Sequence, residues 1–167
     1  MLPISGSKGE AFCDGMTRRG FLRIGGIGVE ISDQLAKESH ERMSALGGKC
    51  VHNAAVEGIE SLENESVDLV ILCSYLEHEI NPLGVLRAIS KKLRQGGFVV
   101  IKVPNFACWN RSFRQEKWCG FRYPDHVNYF TPATLSQMVE KGGLKVHKMN
   151  FFDRFPTNDN VWLVATK

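Results

Sequence analysis

The stretch from residue 67 to residue 105 constrains the fold more than any other part of the chain. Residues 67–74 form an almost unbroken apolar run, as is typical of a strand buried on both faces of a parallel sheet. Residues 83–94 then repeat apolar side chains at helical spacing, and the glycine pair at 96–97 is expected to end that helix. Residues 98–103 form a second strand of the buried type. A strand, a helix and a strand in this order predict a right-handed βαβ unit.

Polar side chains follow both of these predicted strands. The residues at the two strand ends are Cys73, Ser74, Glu77 and His78 after the first strand and Asn105 after the second. In open parallel sheets, ligands bind outside the carboxyl ends of the strands. The sequence therefore predicts a functional site at this edge of the sheet.

Length and composition describe an ordinary globular protein. With 167 residues, the chain has the size of one domain with a substantial core. A net charge of +3 argues against nucleic acid and membrane surfaces as partners, because both attract strongly basic proteins. No apolar run reaches the roughly 18 residues of a transmembrane helix, and residues 1–30 show no secretory signal, so we expect a cytoplasmic protein.

The cysteines and histidines show no pattern of a disulfide framework or a metal site. The cysteines are Cys13, Cys50, Cys73, Cys108 and Cys119. An odd number without a CxxC pair fits neither disulfides nor zinc, so buried thiols are expected. No two histidines or cysteines stand at the spacing of metal ligands, and no metal is expected.

Two stretches of the sequence carry a resemblance to a known family. The first runs from Ser74-Tyr-Leu-Glu-His78 through Asn81-Pro82 to Leu93-Arg-Gln-Gly-Gly97, and it resembles the centre of class I S-adenosylmethionine-dependent methyltransferases. The second, residues 126–135 followed by Gly142-Gly143-Leu144, resembles a branch of that family that acts on small molecules.

The resemblance implies an α/β fold, a Rossmann-like three-layer sandwich whose mostly parallel sheet has an antiparallel last strand. It also implies a single methyltransferase-like domain over residues 1–167, S-adenosyl-L-methionine as cofactor and methyl transfer to a small-molecule acceptor. The acceptor group stays open among hydroxyl, carboxyl and amine. The chain begins without the helical segment that precedes the first strand in the family, which indicates a truncated form or a partner that supplies this part.

In this family a glycine-rich loop after the first strand cradles the cofactor, and it aligns here with Ser5, Gly6, Ser7 and Gly9. Ser5 and Ser7 stand where glycines are expected, and glycine lets the backbone approach a ligand closely. Pro3 stands where an acidic residue is expected, and it cannot donate a ladder hydrogen bond in a central strand. This N-terminal stretch is either the cofactor loop or an unstructured leader.

The resemblance places the rest of the cofactor site at Glu30, Ala54, Ala55, Cys73 and Ser74. Glu30 ends a predicted strand, where an acidic side chain can accept hydrogen bonds from two ribose hydroxyls. The alternative is a solvated glutamate at a strand end. The acidic residue that contacts the adenine amino group in the family aligns with Ala54 or Ala55, which cannot make that contact.

Residues 106–130, the aromatic segment, hold eight aromatic and four basic residues. A connection of this length inside a compact domain is usually functional, so we interpret it as a lid or an acceptor-binding insertion. The alternatives are stacking on nucleic acid and a structural cap over the sheet edge. The acceptor-binding candidates are His78, Trp118, Tyr123 and Tyr129.

His126 is the candidate catalytic base, because an imidazole titrates near neutral pH and Asp125 and Tyr129 lie close in sequence. The alternative is a structural histidine that hydrogen-bonds the loop backbone.

Further elements are predicted on either side of the central stretch. Before it come a helix at 10–22, a strand at 27–31, a helix at 32–46 and a strand at 49–53. After it, Thr131-Pro132 begins a helix that Gly142-Gly143 ends. Two strands follow at 144–152 and 161–166, and they should pair antiparallel because no helix is expected between them.

The predicted function is S-adenosylmethionine-dependent methyl transfer. The alternative is a catalytically weak or inactive methyltransferase-like domain that acts through a partner or through self-association as a homodimer, which the altered glycine loop favours. A nicotinamide dehydrogenase is disfavoured because residues 5–9 lack the G-x-G-x-x-G spacing.

Overall fold

The computed structural model describes residues 26–167. The helix predicted at 10–22 and the loop residues Ser5, Gly6, Ser7 and Gly9 lie outside the described residues. The chain divides into two compact units with a boundary after Ala54, and the single domain over residues 1–167 stays a prediction. Among the described helices, none combines the length and the apolar character needed to span a bilayer.

The first unit contains two parallel strands, β1 (Ile27–Glu30) and β2 (Lys49–His52), connected through helix α1 (Asp33–Ser44). Ser32 caps α1, since its hydroxyl accepts a hydrogen bond from the Leu35 amide at 3.4 Å. The predicted strand–helix–strand order is confirmed. The helix ends two residues earlier than expected.

The second unit contains the predicted βαβ unit. After helix α2 (Ala55–Glu60), strand β3 (Val67–Cys73) leads through helix α3 (Pro82–Lys92) to strand β4 (Leu93–Pro104), and β3 and β4 pair in parallel. Asn81 caps α3 by accepting a hydrogen bond from the Gly84 amide at 3.0 Å.

The glycine pair at 96–97 was expected to end helix α3, and this expectation was wrong. The helix ends at Lys92, because Leu93 takes an extended conformation and places its side chain in the core with no exposed surface. Gly96 has a φ of +75°, and a Cβ at Gly97 would lie 2.9 Å from the Leu93 side chain. The two glycines therefore form an irregularity inside β4, where the register with β3 shifts.

The remaining elements complete a four-stranded sheet. They are helix α4 (Trp109–Arg114), a 3-10 helix (Gln115–Lys117), helix α5 (Pro132–Lys141), strand β5 (Lys145–Lys148), helix α6 (Phe151–Arg154) and strand β6 (Asn160–Thr166). The strand order is β3-β4-β6-β5, and β6 runs antiparallel to both of its neighbours, as predicted. The expectation of no helix between the last two strands was wrong, because the short α6 stands there with Asp153 buried.

The core of the second unit joins the sheet to helices α3 and α5. Its side chains without exposed surface include Leu86, Leu93, Ile101, Leu135 and Leu163. One contiguous cluster therefore holds the strands whose ends carry the candidate site.

The described cysteines differ in exposure. Cys108 is buried, Cys50 and Cys73 are half-buried and Cys119 is exposed. The expectation of buried thiols is therefore correct for Cys108 and wrong for Cys119.

Candidate active site

The carboxyl ends of β3 and β4 meet at Ser74. Its amide donates a hydrogen bond to the carbonyl of Lys102 at 2.9 Å, and its hydroxyl accepts one from Lys102 Nζ at 3.0 Å. Ser74 has a φ of +51°, the left-handed region, and this turns the chain out of the strand. Lys102 is only 2% exposed. Lys102 was not among the predicted site residues, although it is the one charged residue in the run 98–103.

Glu77 is buried in the turn that follows β3, with 2% of its surface exposed. Its backbone carbonyl accepts hydrogen bonds from the amides of Val127 and Asn128, at 2.8 and 3.0 Å. Its side-chain atom Oε2 is buried and has no hydrogen-bond partner among the described residues. Burial raises the pKa of this carboxyl, and its own backbone amide and the charges of His78 and Lys102 offset that rise only in part.

His78 and His126 lie against each other at this edge, with ring centroids 4.6 Å apart and the rings nearly perpendicular. His78 Nδ1 lies 2.8 Å from the carbonyl oxygen of Asp125, and His126 Nδ1 lies 2.8 Å from that of Gly120. A carbonyl oxygen only accepts hydrogen bonds, so each Nδ1 is the protonated donor and each neutral ring keeps its lone pair on Nε2.

The two histidines differ in exposure. His78 is exposed, whereas His126 is only 5% exposed. Burial lowers the pKa of the His126 imidazole, which favours the neutral ring. The alternative role for His126 was a structural one, in which the side chain hydrogen-bonds the loop backbone, and this hydrogen bond is present. The base role stays a prediction, and Nε2 is the atom that could perform it.

The fold brings His126 next to Glu77 and His78, which are adjacent in sequence, and so forms a group of three potential metal ligands. Glu77, His78 and His126 each offer one ligand atom, and these atoms lie within 4.8 Å of one another. The expectation of no such cluster relied on spacing along the chain, which cannot detect a ligand supplied by a distant segment. The amides of Val127 and Asn128 bring His126 to this position by binding the Glu77 carbonyl.

Four aromatic rings of the aromatic segment pack against one another. Phe106, Trp118, Phe121 and Tyr129 pack with ring centroids 5.3 to 6.3 Å apart. Trp118 is 1% exposed, and its indole nitrogen donates to Asp159 Oδ1 at 3.4 Å. This buried position indicates a structural role for Trp118. The contact of Trp118 with the methyl acceptor stays a prediction.

The two predicted tyrosines lie nearer the surface. Tyr129 is 37% exposed and Tyr123 is 90% exposed, so both are accessible for contact with a bound molecule. Their acceptor contacts also stay predictions.

Two asparagines fix the segment to the strand ends. Asn128 Nδ2 donates to the Leu76 carbonyl at 3.0 Å, and the fully buried Asn105 donates through Nδ2 to the Asn158 carbonyl at 3.0 Å. Asn105 was predicted at the strand end, whereas Asn128 was not predicted as a site residue because its contact depends on tertiary structure.

In the first unit, Glu30 and Asn53 lie at the carboxyl ends of the parallel strands. Glu30 is half-buried, and its Oε1 accepts a hydrogen bond from the Ser32 amide at 3.0 Å, while the structure shows no partner for its second oxygen among residues 26–167. The Ala54 amide donates to Asn53 Oδ1 at 2.9 Å. Ala54 and Ala55 are half-buried and offer no side-chain polar atom.

A family model described as a methyltransferase domain matches residues 2–149. A curated relative, the ubiquinone biosynthesis O-methyltransferase of Aeromonas salmonicida (strain A449), is 34% identical over 95 residues. That match covers 52% of this chain and 39% of the relative, so the chain aligns with well under half of that protein's length.

Two solved structures have a similar architecture. A SAM-dependent methyltransferase from Archaeoglobus fulgidus superposes with a TM-score of 0.62 at 17% identity, over 84% of this chain and 75% of that chain. A SAM-dependent methyltransferase from Thermotoga maritima gives 0.60 at 20% identity, over 84% and 72%. At these identities the likeness concerns the fold, and it confirms the predicted Rossmann-like three-layer sandwich.

Proposed function

Because the chain belongs to the methyltransferase-domain family, we propose that it transfers a methyl group from S-adenosylmethionine to a small-molecule acceptor. The match to the family model over residues 2–149 is the observation that carries this proposal. The ubiquinone biosynthesis O-methyltransferase that shares 34% identity supports a small-molecule acceptor with a hydroxyl group.

On the cofactor side, Glu30 supports binding of the ribose of the adenosyl group. Glu30 has one carboxylate oxygen without a partner in the described part of the chain, and it stands at a strand end where a ribose hydroxyl can be bound. In the second unit, Cys73 ends β3 and Ser74 follows it in a left-handed conformation, and the family pattern assigns both residues to the cofactor site. The bound cofactor supplies an electrophilic methyl group on a sulfonium sulfur.

The remaining cofactor residues stay proposals that derive from the family pattern. They are Ser5, Gly6, Ser7 and Gly9 in the loop, and Ala54 and Ala55 after β2. Without an acidic side chain at Ala54 or Ala55, the adenine depends on backbone groups there.

On the acceptor side, His126 contributes the basic nitrogen. Its Nδ1 is held by the Gly120 carbonyl, which orients Nε2 for accepting a proton from an acceptor hydroxyl. His126 is itself only 5% exposed, so little water reaches its imidazole. The protein's task is to orient the acceptor and remove its proton, since methyl transfer itself requires mainly alignment of the two reactants.

The proposal also covers the cellular compartment and the partners of the protein. Its odd number of cysteines suits a reducing compartment, and we propose the cytoplasm. A homodimer stays a prediction. The side chains of Trp109 and Phe113, which are 56% and 85% exposed on α4, favour a partner surface as the second candidate function.

His126→Ala is expected to slow methyl transfer by about a hundredfold or more, because loss of a general base typically costs at least that factor. The measurement is release of S-adenosylhomocysteine with phenolic, carboxylic and amine acceptors offered separately. His147→Ala is the matched control, because His147 is exposed on β5 and should leave the rate unchanged. An unchanged rate in His126→Ala would contradict the base role, and no transfer to any of the three classes would contradict the proposed acceptor.

A further inference from the structure

We propose that Glu77, His78 and His126 form a binding site for a divalent transition-metal cation of the zinc type. The three potential ligand atoms lie within 4.8 Å of one another. Zinc bonds of about 2.0–2.2 Å place tetrahedral ligand atoms about 3.4 Å apart, so binding requires small side-chain rotations that bring these atoms closer together. The site uses two imidazoles and one carboxylate, a ligand set that favours zinc, iron or manganese over calcium or magnesium.

The hydrogen bonds of the two histidines prepare them as ligands. A metal-binding histidine usually donates its other ring N–H to a carbonyl or carboxylate, which fixes the ring and directs the lone pair at the ion. His78 does this with the Asp125 carbonyl and His126 with the Gly120 carbonyl, both at 2.8 Å. The lone pair of each neutral ring is therefore on Nε2, which is the atom that can bind a cation.

The carboxylate of Glu77 provides a second and independent observation. Glu77 is 2% exposed, and its Oε2 atom is buried without a hydrogen-bond partner among the described residues. A buried carboxylate oxygen without a partner is costly, and native proteins rarely retain one. Lys102 makes no hydrogen bond to Oε2, although its charge favours the ionised carboxylate and its Nζ reaches Ser74 at the same strand end. A cation between the carboxylate and the two imidazoles would provide the missing contact.

The cation would change how the acceptor is activated, and this part of the inference rests on the proposed function. With only three protein ligands, a coordination position stays open for an oxygen of the acceptor. A hydroxyl bound there loses its proton to solvent more easily, because the cation lowers its pKa. His126 would then serve as a ligand rather than as the base, and oxygen acceptors would be favoured over amines.

The test is titration of the chelator-treated full chain with Zn²⁺ by calorimetry. We expect about one ion per chain, and an affinity at least about tenfold lower in His78→Ala and in Glu77→Gln. His78 is exposed, so its replacement should leave the fold intact, which circular dichroism checks. His147→Ala should bind zinc as the wild-type chain does.

The cysteines could also bind zinc, and Co²⁺ distinguishes the two kinds of site. Nitrogen and oxygen ligands give weak visible bands, whereas a cysteine ligand adds a strong thiolate charge-transfer band. Absence of zinc binding, equal affinity in His78→Ala and the wild-type chain, or a thiolate band would each overturn the proposal. None of these readouts involves methyl transfer, so zinc binding without methyltransferase activity would contradict the proposed function and leave the metal site supported.

Discussion

Trp118→Ala is expected to lower the free energy of unfolding by about 3–5 kcal/mol, the usual cost of removing a buried tryptophan. The indole is 1% exposed, lies 5.5 Å from the Phe121 ring by centroids and donates to Asp159. Its loss would leave a cavity between the rings and an acceptor without a partner. Urea denaturation followed by circular dichroism measures the change.

Phe113→Ala is the matched control, because Phe113 belongs to the same segment and is 85% exposed. Its free energy of unfolding should change by no more than about 0.5 kcal/mol. A loss below about 1 kcal/mol in Trp118→Ala would contradict the structural role of this residue. If acceptor affinity then fell, the original interpretation of Trp118 as an acceptor contact would be favoured.

The second large effect is expected for Leu163→Ala, with a loss of about 2–5 kcal/mol in the free energy of unfolding. Leu163 has no exposed surface and lies directly across from Ile101 in the antiparallel pair of β6 and β4. Removal of three carbon atoms at this point leaves a cavity next to the strand that carries Lys102.

Ile80→Ala serves as the comparison for Leu163, because Ile80 is 91% exposed and contributes little to the core. We expect a change within about 0.5 kcal/mol for this variant. Similar losses in the two variants would show that β6 is not part of a cooperative core.

The elements that local sequence determines could be predicted. Apolar runs bounded by turn residues gave β3 and β4, and the Thr131-Pro132 start of α5 is confirmed by a capping box in which Thr131 and Thr134 bind each other's amides. The helix end at Lys92 could not be predicted in this way. Two glycines favour a helix end, but burial of Leu93 in the core decides where the strand begins.

Only those residues of the candidate site that directly follow one strand could be predicted together. The sequence placed Ser74, Glu77 and His78 together because they follow one strand. It could not place His126 beside them, since that contact depends on two amides of a distant segment binding the Glu77 carbonyl. The burial of Trp118 could not be predicted either. An aromatic residue in a long loop is compatible both with a ligand contact and with a packed side chain.

Calorimetric titration of the purified chain with S-adenosylhomocysteine tests the central claim most directly. We predict micromolar binding to the wild-type chain and at least about tenfold weaker binding to Glu30→Ala, which loses a charged hydrogen-bond partner of the ribose. Glu41→Ala is the control, because Glu41 is an exposed glutamate on α1 and should bind like the wild-type chain. Absence of binding to the wild-type chain would contradict the claim that this protein uses S-adenosylmethionine.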